Sequence, residues 1–426
     1  MSVRRETNDY VTRVLRSPDE VAAAEWNELL RVQDEPTPFM LHEYLLALHN
    51  SGSATPATGW TPRFITLERD GVMVAACALY VKPHSYGEYV FDQAWANAYA
   101  QHGRRYYPKA VVAVPFTPVP GSRLLARNSA ERTLLVKALI RWCEAEQLSS
   151  LHVLFGSSDD RQACEEAGMM LRHSVQFHWK NMAPTLATAC AALPPEGAHL
   201  ALGRPGGETV APTLATSAYR DFEHFLSSLS QDKRKKIRQE RRKVADAGIS
   251  FRWSLGGAIS QPDWDFFYRC YERTYLEHGN APYLSRDFFQ AMASTMPGNW
   301  LLFIAQRQDR PIAASLLALR TGGPGRVAYG RYWGALERVD CLHFEACYYQ
   351  PLSWCIDHGY QRFEGGAQGE HKMARALLPV KTSSAHWLAE PAFAAAVERF
   401  LEREGEGIGR YLEDLGQRSP LKNQPG

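Results

Sequence analysis

The chain has 426 residues, 45% hydrophobic and 22% charged, a globular composition too long for one ordinary core, so two domains are expected. Its 48 Lys and Arg against 46 Asp and Glu leave a net charge of +2, which excludes a DNA-binding glove but leaves room for a local basic patch. No run reaches about 18 apolar residues and the N-terminus lacks an apolar segment, so the expectation is a cytoplasmic protein with no membrane span, peripheral association remaining open.

In chain order, EVAAAEWNELLRV (20–32) has helical apolar spacing, and PTPFMLHEYLLALHNSG (36–52) follows it to a stop at Gly52. RFITLERDGVMVAACALYV (63–81) reads as strand, turn at Asp70–Gly71, strand. VVAVPF (111–116) is a short strand. NSAERTLLVKALIRWCEAEQL (128–148) is a helix capped by Asn128 or Ser129. A strand (151–156), a short helix (157–169) and a strand (170–181) complete an α/β alternation. Residues 182–217 are rich in Ala, Pro, Gly and Thr and are expected to be a partly disordered linker. This divides the chain into domains at 1–181 and 218–426.

The second half opens with a helix (YRDFEHFLSSLS) and a basic segment, DKRKKIRQERRKVADAG (232–248). A strand, two helices (262–278 and 285–296) and a second hairpin follow, LLFIAQRQDRPIAASLLALR (301–320), with its turn expected at Asp309–Arg310. The two hairpins lie about 239 residues apart, FDQAW (91–95) and YGRYW (329–333) fall at nearly matching offsets, and each hairpin is followed by a third strand candidate and then a helix. That repeat predicts a duplication. A helix over 391–416 closes the chain.

The stretch 326–387 embeds Arg331, His343, Glu345, Glu364, Gln368, Glu370, His371 and Lys372 among apolar residues. Burying charge without a partner is costly, so this density points to a site. On a helix over 341–358, His343 and Cys347 share one face and Glu345 and Tyr349 another. A carboxylate in aromatic surroundings suits a general base, while the alternative is a paired structural carboxylate. GGAQGEHK (365–372) offers glycines for close backbone approach to a ligand. His343, Glu345 and His371 have no zinc-like spacing, so no metal is expected. The eight cysteines contain no CxxC pair and read as buried free thiols.

Two basic motifs stand apart. HGRRYYPK (102–109) sets Arg104, Arg105 and Lys109 beside Tyr106 and Tyr107 in a loop, either a phosphate- or carboxylate-binding element or plain surface. Residues 233–243 hold eight Lys or Arg, including Lys235, Lys236, Arg238 and Arg241; they would touch RNA or nucleotide phosphates, or form a solvated face. Arg320–Gly325 fits R-x-x-G-x-G, the loop that cradles a CoA pyrophosphate. Yet a strand follows it where a helix N-terminus is needed, so a hairpin turn is the reading.

HGRRYYPKAVVAVPFTPVPGSRLL (102–125), SVQFHWKN (174–181), KRKKIRQERRKVADAGIS (233–250) and the run RYWG, LHFEACYYQ, FEGGAQGEHK, SAHW together resemble the FemAB-like branch of the GNAT acyltransferase superfamily. The resemblance implies an α/β (α+β) fold of two tandem GNAT-like domains, each a mixed, mostly antiparallel sheet covered by helices. Better-studied members move an amino acid from aminoacyl-tRNA to an amine of a peptidoglycan precursor. The linker is longer than the usual join, and AQGEHKMARALLP lacks a glycine expected after its arginine.

The expectation that follows is an acyl- or aminoacyl-transferase acting on an amine, with no permanently bound cofactor. The donor would be aminoacyl-tRNA or acyl-CoA, and a non-catalytic recognition module for a cell-wall precursor is the third reading. Glu345, His343, Glu370 and His371 are the catalytic candidates. Arg104, Arg105, Tyr106, Lys109, Arg331, Trp333, Gln368 and Lys372 are the substrate-binding candidates.

Overall fold

The computed structural model describes residues 10–182, 218–323, 325–366 and 369–422. Beyond Met182, the expected linker lies outside the described residues, as does Gln368. Among the described residues thirteen strands form one sheet. In chain order they are β1 Tyr10–Leu15, β2 Thr61–Arg69, β3 Val72–Lys82, β4 Lys109–Val112, β5 Leu125–Ala126, β6 Ser150–Val153, β7 Met170–Lys180, β8 Ile249–Leu255, β9 Trp300–Arg307, β10 Arg310–Arg320, β11 Val327–Ala335, β12 Arg362–Glu364 and β13 Leu378–Leu388. Across the sheet the order is β1-β2-β3-β4-β6-β13-β7-β12-β11-β10-β9-β8, with β5 on β3.

That order is a duplication with exchanged strands. β1 to β4 are antiparallel neighbours and β6 joins β4 in parallel. β8 to β11 repeat the pattern and β12 joins β11 in parallel. Each half then contributes one long strand of 11 residues, β7 or β13. β13 inserts between β6 and β7, and β7 inserts between β13 and β12. The sheet is therefore continuous across the division read at 181 and 218, because each half is completed by a strand of the other.

The hairpins owe their geometry to their turns. Asp70 and Gly71 take φ of 53° and 75°, the pair of left-handed residues a two-residue turn needs to match strand twist. The second turn is Gln308–Asp309, with φ of 49° and 62°, one residue earlier than expected at Asp309–Arg310. The offset match of FDQAW with YGRYW also needs correcting. Residues 329–333 lie in β11, but Gln93 begins a helix, α3 Gln93–Gln101. The third strand of the first half is β4, which overlaps the strand read at 111–116.

Helices α1 Ala23–Arg31 and α2 His42–Asn50 of the first half pack on the same apolar cluster as two of the second half. Its core includes Trp26, Phe39, Tyr44 and Trp60 with Phe267, Phe288 and Trp300, all 1% exposed or less. Each such side chain contributes on the order of 1.5–3 kcal/mol by leaving water, and this shared cluster holds the halves together. α4 Ser129–Ala145 starts at Asn128, whose side chain accepts from the Glu131 N–H, and α5 is Ser158–Glu166. The second half continues with α6 Phe222–Ser227, α7 Gln231–Asp246, α8 Gln261–Glu277 and α9 Arg286–Thr295.

The helix expected over 341–358 is not regular. α10 Leu342–Phe344 runs through a π turn, Glu345–Tyr349, into α11 Gln350–Asp357. α12 Pro391–Gln417 ends the fold. Among the described residues, no helix is long and apolar enough to cross a membrane. The seven described cysteines are free thiols, five of them buried.

Candidate active site

β11 and β12 run side by side only over Val327–Tyr329 and Arg362–Glu364. β11 then continues to Ala335 while β12 ends, so the strands part. Gly330 stands on one lip, Gly365 and Gly366 on the other. A β-bulge sharpens the bend. Leu317 pairs with Gly330 and Leu316 with Tyr332, which leaves Arg331 as the extra residue. A Cβ on Gly365 would sit 2.5 Å from the Leu377 side chain and 3.3 Å from Tyr348, so only glycine fits there without displacing the wall.

A cavity of about 250 Å³ occupies this parting. The second half supplies Ser315, Arg331, Trp333, His343, Cys347 and Tyr348, and Tyr89, Phe116 and Pro118 reach in from the first. Arg331 ties the halves. Its Nη2 donates to the Phe116 carbonyl at 2.9 Å, and its guanidinium lies 5.5 Å from the Phe39 ring and 5.2 Å from Tyr332.

Among the described residues no carboxylate lines this cavity. Its titratable nitrogen is His343, whose ring meets Trp333 at 5.5 Å and Tyr348 at 5.7 Å. Crowding by these neighbours, then the charges of His371, Arg375 and Lys372, push His343 below the usual imidazole range. Its solvent-facing edge moderates that depression, and both effects leave it neutral at pH 7. Lys372 lies just behind, 4% exposed, and its Nζ donates to the Gly366 carbonyl at 2.7 Å. Burial lowers Lys372 to about 8. The same burial lifts the Cys347 thiol to about 12, so it lines the wall as a neutral group.

The π turn sorts the other candidates. His343 and Cys347 do line one wall, and Glu345 and Tyr349 both face α7. Glu345 accepts from Arg241 at 3.1–3.2 Å and from Gln350 at 2.7 Å. It lies on a separate surface cleft of about 500 Å³ with Arg238 and Arg242. The Tyr349 hydroxyl donates to Glu240, which also accepts from Arg375. Glu345 is thus a paired structural carboxylate, turned away from His343. Glu370 is exposed and accepts from Tyr411 at 2.6 Å and Arg418 at 3.3 Å on α12 and just after it. His371 is exposed too, 3.3 Å from the Tyr348 hydroxyl.

The 102–109 motif does not act as one surface. Arg104 and Arg105 are exposed, and Arg104 is 3.7 Å from Glu390. Tyr106 and Lys109 are buried at 3% and 0%. Lys109 donates to Glu88 at 2.7 Å, to Asp92 and to the Ser85 hydroxyl at 2.8 Å, so its three protons are all taken. On α7, Ile237, Glu240 and Val244 face inward. Lys235 and Lys236 are exposed, while Arg238 pairs with Glu223 at 2.6 Å. Arg320 ends β10 ahead of β11 and donates to the Gly325 and Pro36 carbonyls.

The sequence reading missed Tyr89, Phe116, Ser315 and Tyr348. Tyr89 and Phe116 have left-handed φ of 59° and 56°, which no local pattern announces, and their contact with β11 spans more than 200 residues.

The chain is similar in fold to FemX, at 10% identity and a TM-score of 0.50, over 92% of this chain and all of that one. L-PGS from Bacillus licheniformis matches at 10% identity and 0.49, over 91% and 98%. A tandem GNAT protein of the clavulanic acid pathway matches at 10% and 0.42, over 90% and 99%. The internal duplication gives two halves of one plan, and the likeness to FemX runs over both. Residues 17–185 and 210–423 match the family described by peptidoglycan biosynthesis or recognition; the chain belongs to the FemAB-like proteins.

Proposed function

We propose that the cavity between β11 and β12 transfers an acyl or aminoacyl group to an amine. One observation carries this reading: two parallel strands part at glycines, and the gap holds the His343 imidazole and, among the described residues, no carboxylate. Parted strands leave unpaired backbone groups, which suit an extended donor arm. His343 takes a proton from the attacking amine, since an ammonium has no lone pair. The nitrogen adds to the donor carbonyl carbon. Backbone N–H groups at the bulge and at Gly365–Gly366 stabilise the oxyanion, with Arg331 and Lys372 supplying positive field nearby. The oxyanion then collapses and the donor oxygen or sulfur leaves with the proton. Positioning provides much of the rate.

Aminoacyl-tRNA is the donor we favour, and the acceptor a peptidoglycan-precursor amine. The exposed Lys235 and Lys236 on α7 support RNA contact, and the strand-to-helix turn from β11 to α10, where a CoA pyrophosphate would need free N–H groups, carries Glu337, paired with Arg307 and Arg310. Incubation with charged bulk tRNA or acetyl-CoA, plus a nucleotide-linked stem peptide, tests this by mass spectrometry of the acceptor. An added aminoacyl mass is expected with tRNA alone. An acetyl mass with CoA would replace the donor, and no product with either would overturn transfer. Lys235→Ala with Lys236→Ala should weaken tRNA binding by about tenfold at low salt, less at high salt; unchanged binding would remove RNA from the account.

A further inference from the structure

The loop from Pro83 to Asp92 separates the transfer cavity from a second chamber of about 720 Å³. Tyr89 lines both. The rest of the partition is a stacked pair, Phe116 on one side and Tyr283 on the other, with centroids 4.8 Å apart and planes at 11°. Aromatic rings dominate the chamber walls: Tyr86, Tyr89, Phe91, Tyr107, Tyr283 and the neighbouring His84. Tyr86 and Phe91 are 74% and 70% exposed, although large rings left in water usually mark a contact surface.

The polarity has one sign. Among the described residues no Lys or Arg lines the chamber, and Asp92 is its acid. Asp92 is 3% exposed. Its Oδ2 accepts from Tyr106 and from Lys109, while its Oδ1 has no partner. Behind it, Glu88 accepts from Lys109 through Oε2 and also leaves Oε1 unpartnered. A single lysine thus serves two carboxylates. Lys82, the other buried lysine nearby, is lowered to about 7 by burial; it donates to the Gly59 and Tyr86 carbonyls and lies 3.4 Å from the Trp60 ring centre. Although burial opposes it, the Lys109 charge and these hydrogen bonds hold Asp92 below its ordinary range, so Asp92 is ionised at neutral pH, while burial lifts Glu88 behind it to about 7.

We propose that this chamber binds an organic ammonium group, held against the faces of Tyr86, Tyr89, Tyr107 and Tyr283 with Asp92 as counter-charge. Ring faces attract cations through their quadrupoles, and most strongly where water is displaced. Anions find no donor charge here, and a plain hydrocarbon chain would strand the Asp92 carboxylate. The inference goes beyond the transfer reading and does not need it: the chamber selects a positively charged group whether or not that molecule is the one acylated next door.

Calorimetry with choline, its neutral isostere 3,3-dimethylbutan-1-ol, inorganic phosphate and N-acetylglucosamine tests it on the full chain with no donor present. Choline should bind at least tenfold more tightly than the isostere. Tyr86→Leu, a change at an exposed side chain that spares the core, should weaken choline about tenfold, and Asp92→Asn further if that variant folds. Equal binding of the isostere, tighter binding of phosphate or of N-acetylglucosamine, or unchanged choline affinity in Tyr86→Leu would each overturn the proposal. None of these outcomes touches transfer at His343, which is read by turnover.

Discussion

The two halves share a sheet plan and differ sharply where their parallel strands part. In the second half the lips are Gly330, Gly365 and Gly366, and a cavity opens between them. In the first half β4 ends at Val112 beside β6, and the matching space is filled by Val111, Ala113, Leu154 and Phe155, with Val90 packed on them. Strand register extends the comparison inward. Glu364 faces Tyr329 and His178, and at the equivalent points His152 faces Val111 and His386. Duplication thus supplied two openings, and glycines kept one while aliphatic and aromatic residues closed the other.

The buried charges of the first half have become structure. Removing one partner of a buried ion pair leaves an uncompensated charge at a cost of about 3–5 kcal/mol. Lys109→Met, which strands Glu88 and Asp92, should therefore lower thermal stability by the largest margin of any change discussed here, read by calorimetric melting. Activity per folded molecule should fall far less than in a His343 variant, since Lys109 reaches the transfer cavity only through the Pro83–Asp92 loop that carries Tyr89. A normal melting temperature would mean that the Lys109 cluster is not the brace of that half.

In the open half the same kind of change should act on chemistry. His343→Gln should reduce kcat by about 100-fold or more with little change in melting. Its depressed pKa places the acid limb of kcat/KM below the 6.5 of an ordinary imidazole, and the substitution should abolish that limb. A variant that keeps the limb assigns the base elsewhere.

The smallest effect concerns the two register-matched pairs. Burial raises Glu364 to about 7, against the lowering influence of Arg362 and other arginines. A raised carboxyl pKa means the folded state holds the proton more tightly, so stability is lost as pH rises from about 4.5 to 7. His152, His178 and His386 are lowered by burial, the last two to about 3. Their contribution is present above about 6.5 and is lost as pH falls toward about 3. Glu364→Gln should flatten the first decline and leave the second, in melting temperatures taken across pH 4–8. An unaltered upper slope would show that Arg362, 3.0 Å away, keeps Glu364 ionised throughout.

Much of the plan was legible because it is written in short-range patterns. The Asp70–Gly71 turn, the alternating strands and the Asn128 cap are local chemistry, and the hairpin repeat announced duplication. The strand exchange was not legible, because β7 and β13 have nearly the same length and apolar content wherever they insert. In the site, His343, Arg331 and Trp333 stood out as polar or aromatic residues in apolar runs. Glu345 stood out for the same reason and yet is held by Arg241 from a helix 104 residues away. Lys109 misled in the same way, since a lysine after two tyrosines looks like surface until its partners Glu88 and Asp92 are placed. Charge in a sequence shows that a partner exists and not which one.

The central claim is that transfer happens where β11 and β12 part. Gly330→Val copies Val112 of the closed half into the open one, at a position where a Cβ already lies 3.2 Å from Phe363 and 3.4 Å from the Glu364 carbonyl. With the donor that supports turnover in the wild-type chain, transfer should fall about 100-fold while melting shifts by only a few degrees. A folded Gly330→Val protein that transfers at the wild-type rate would contradict the account.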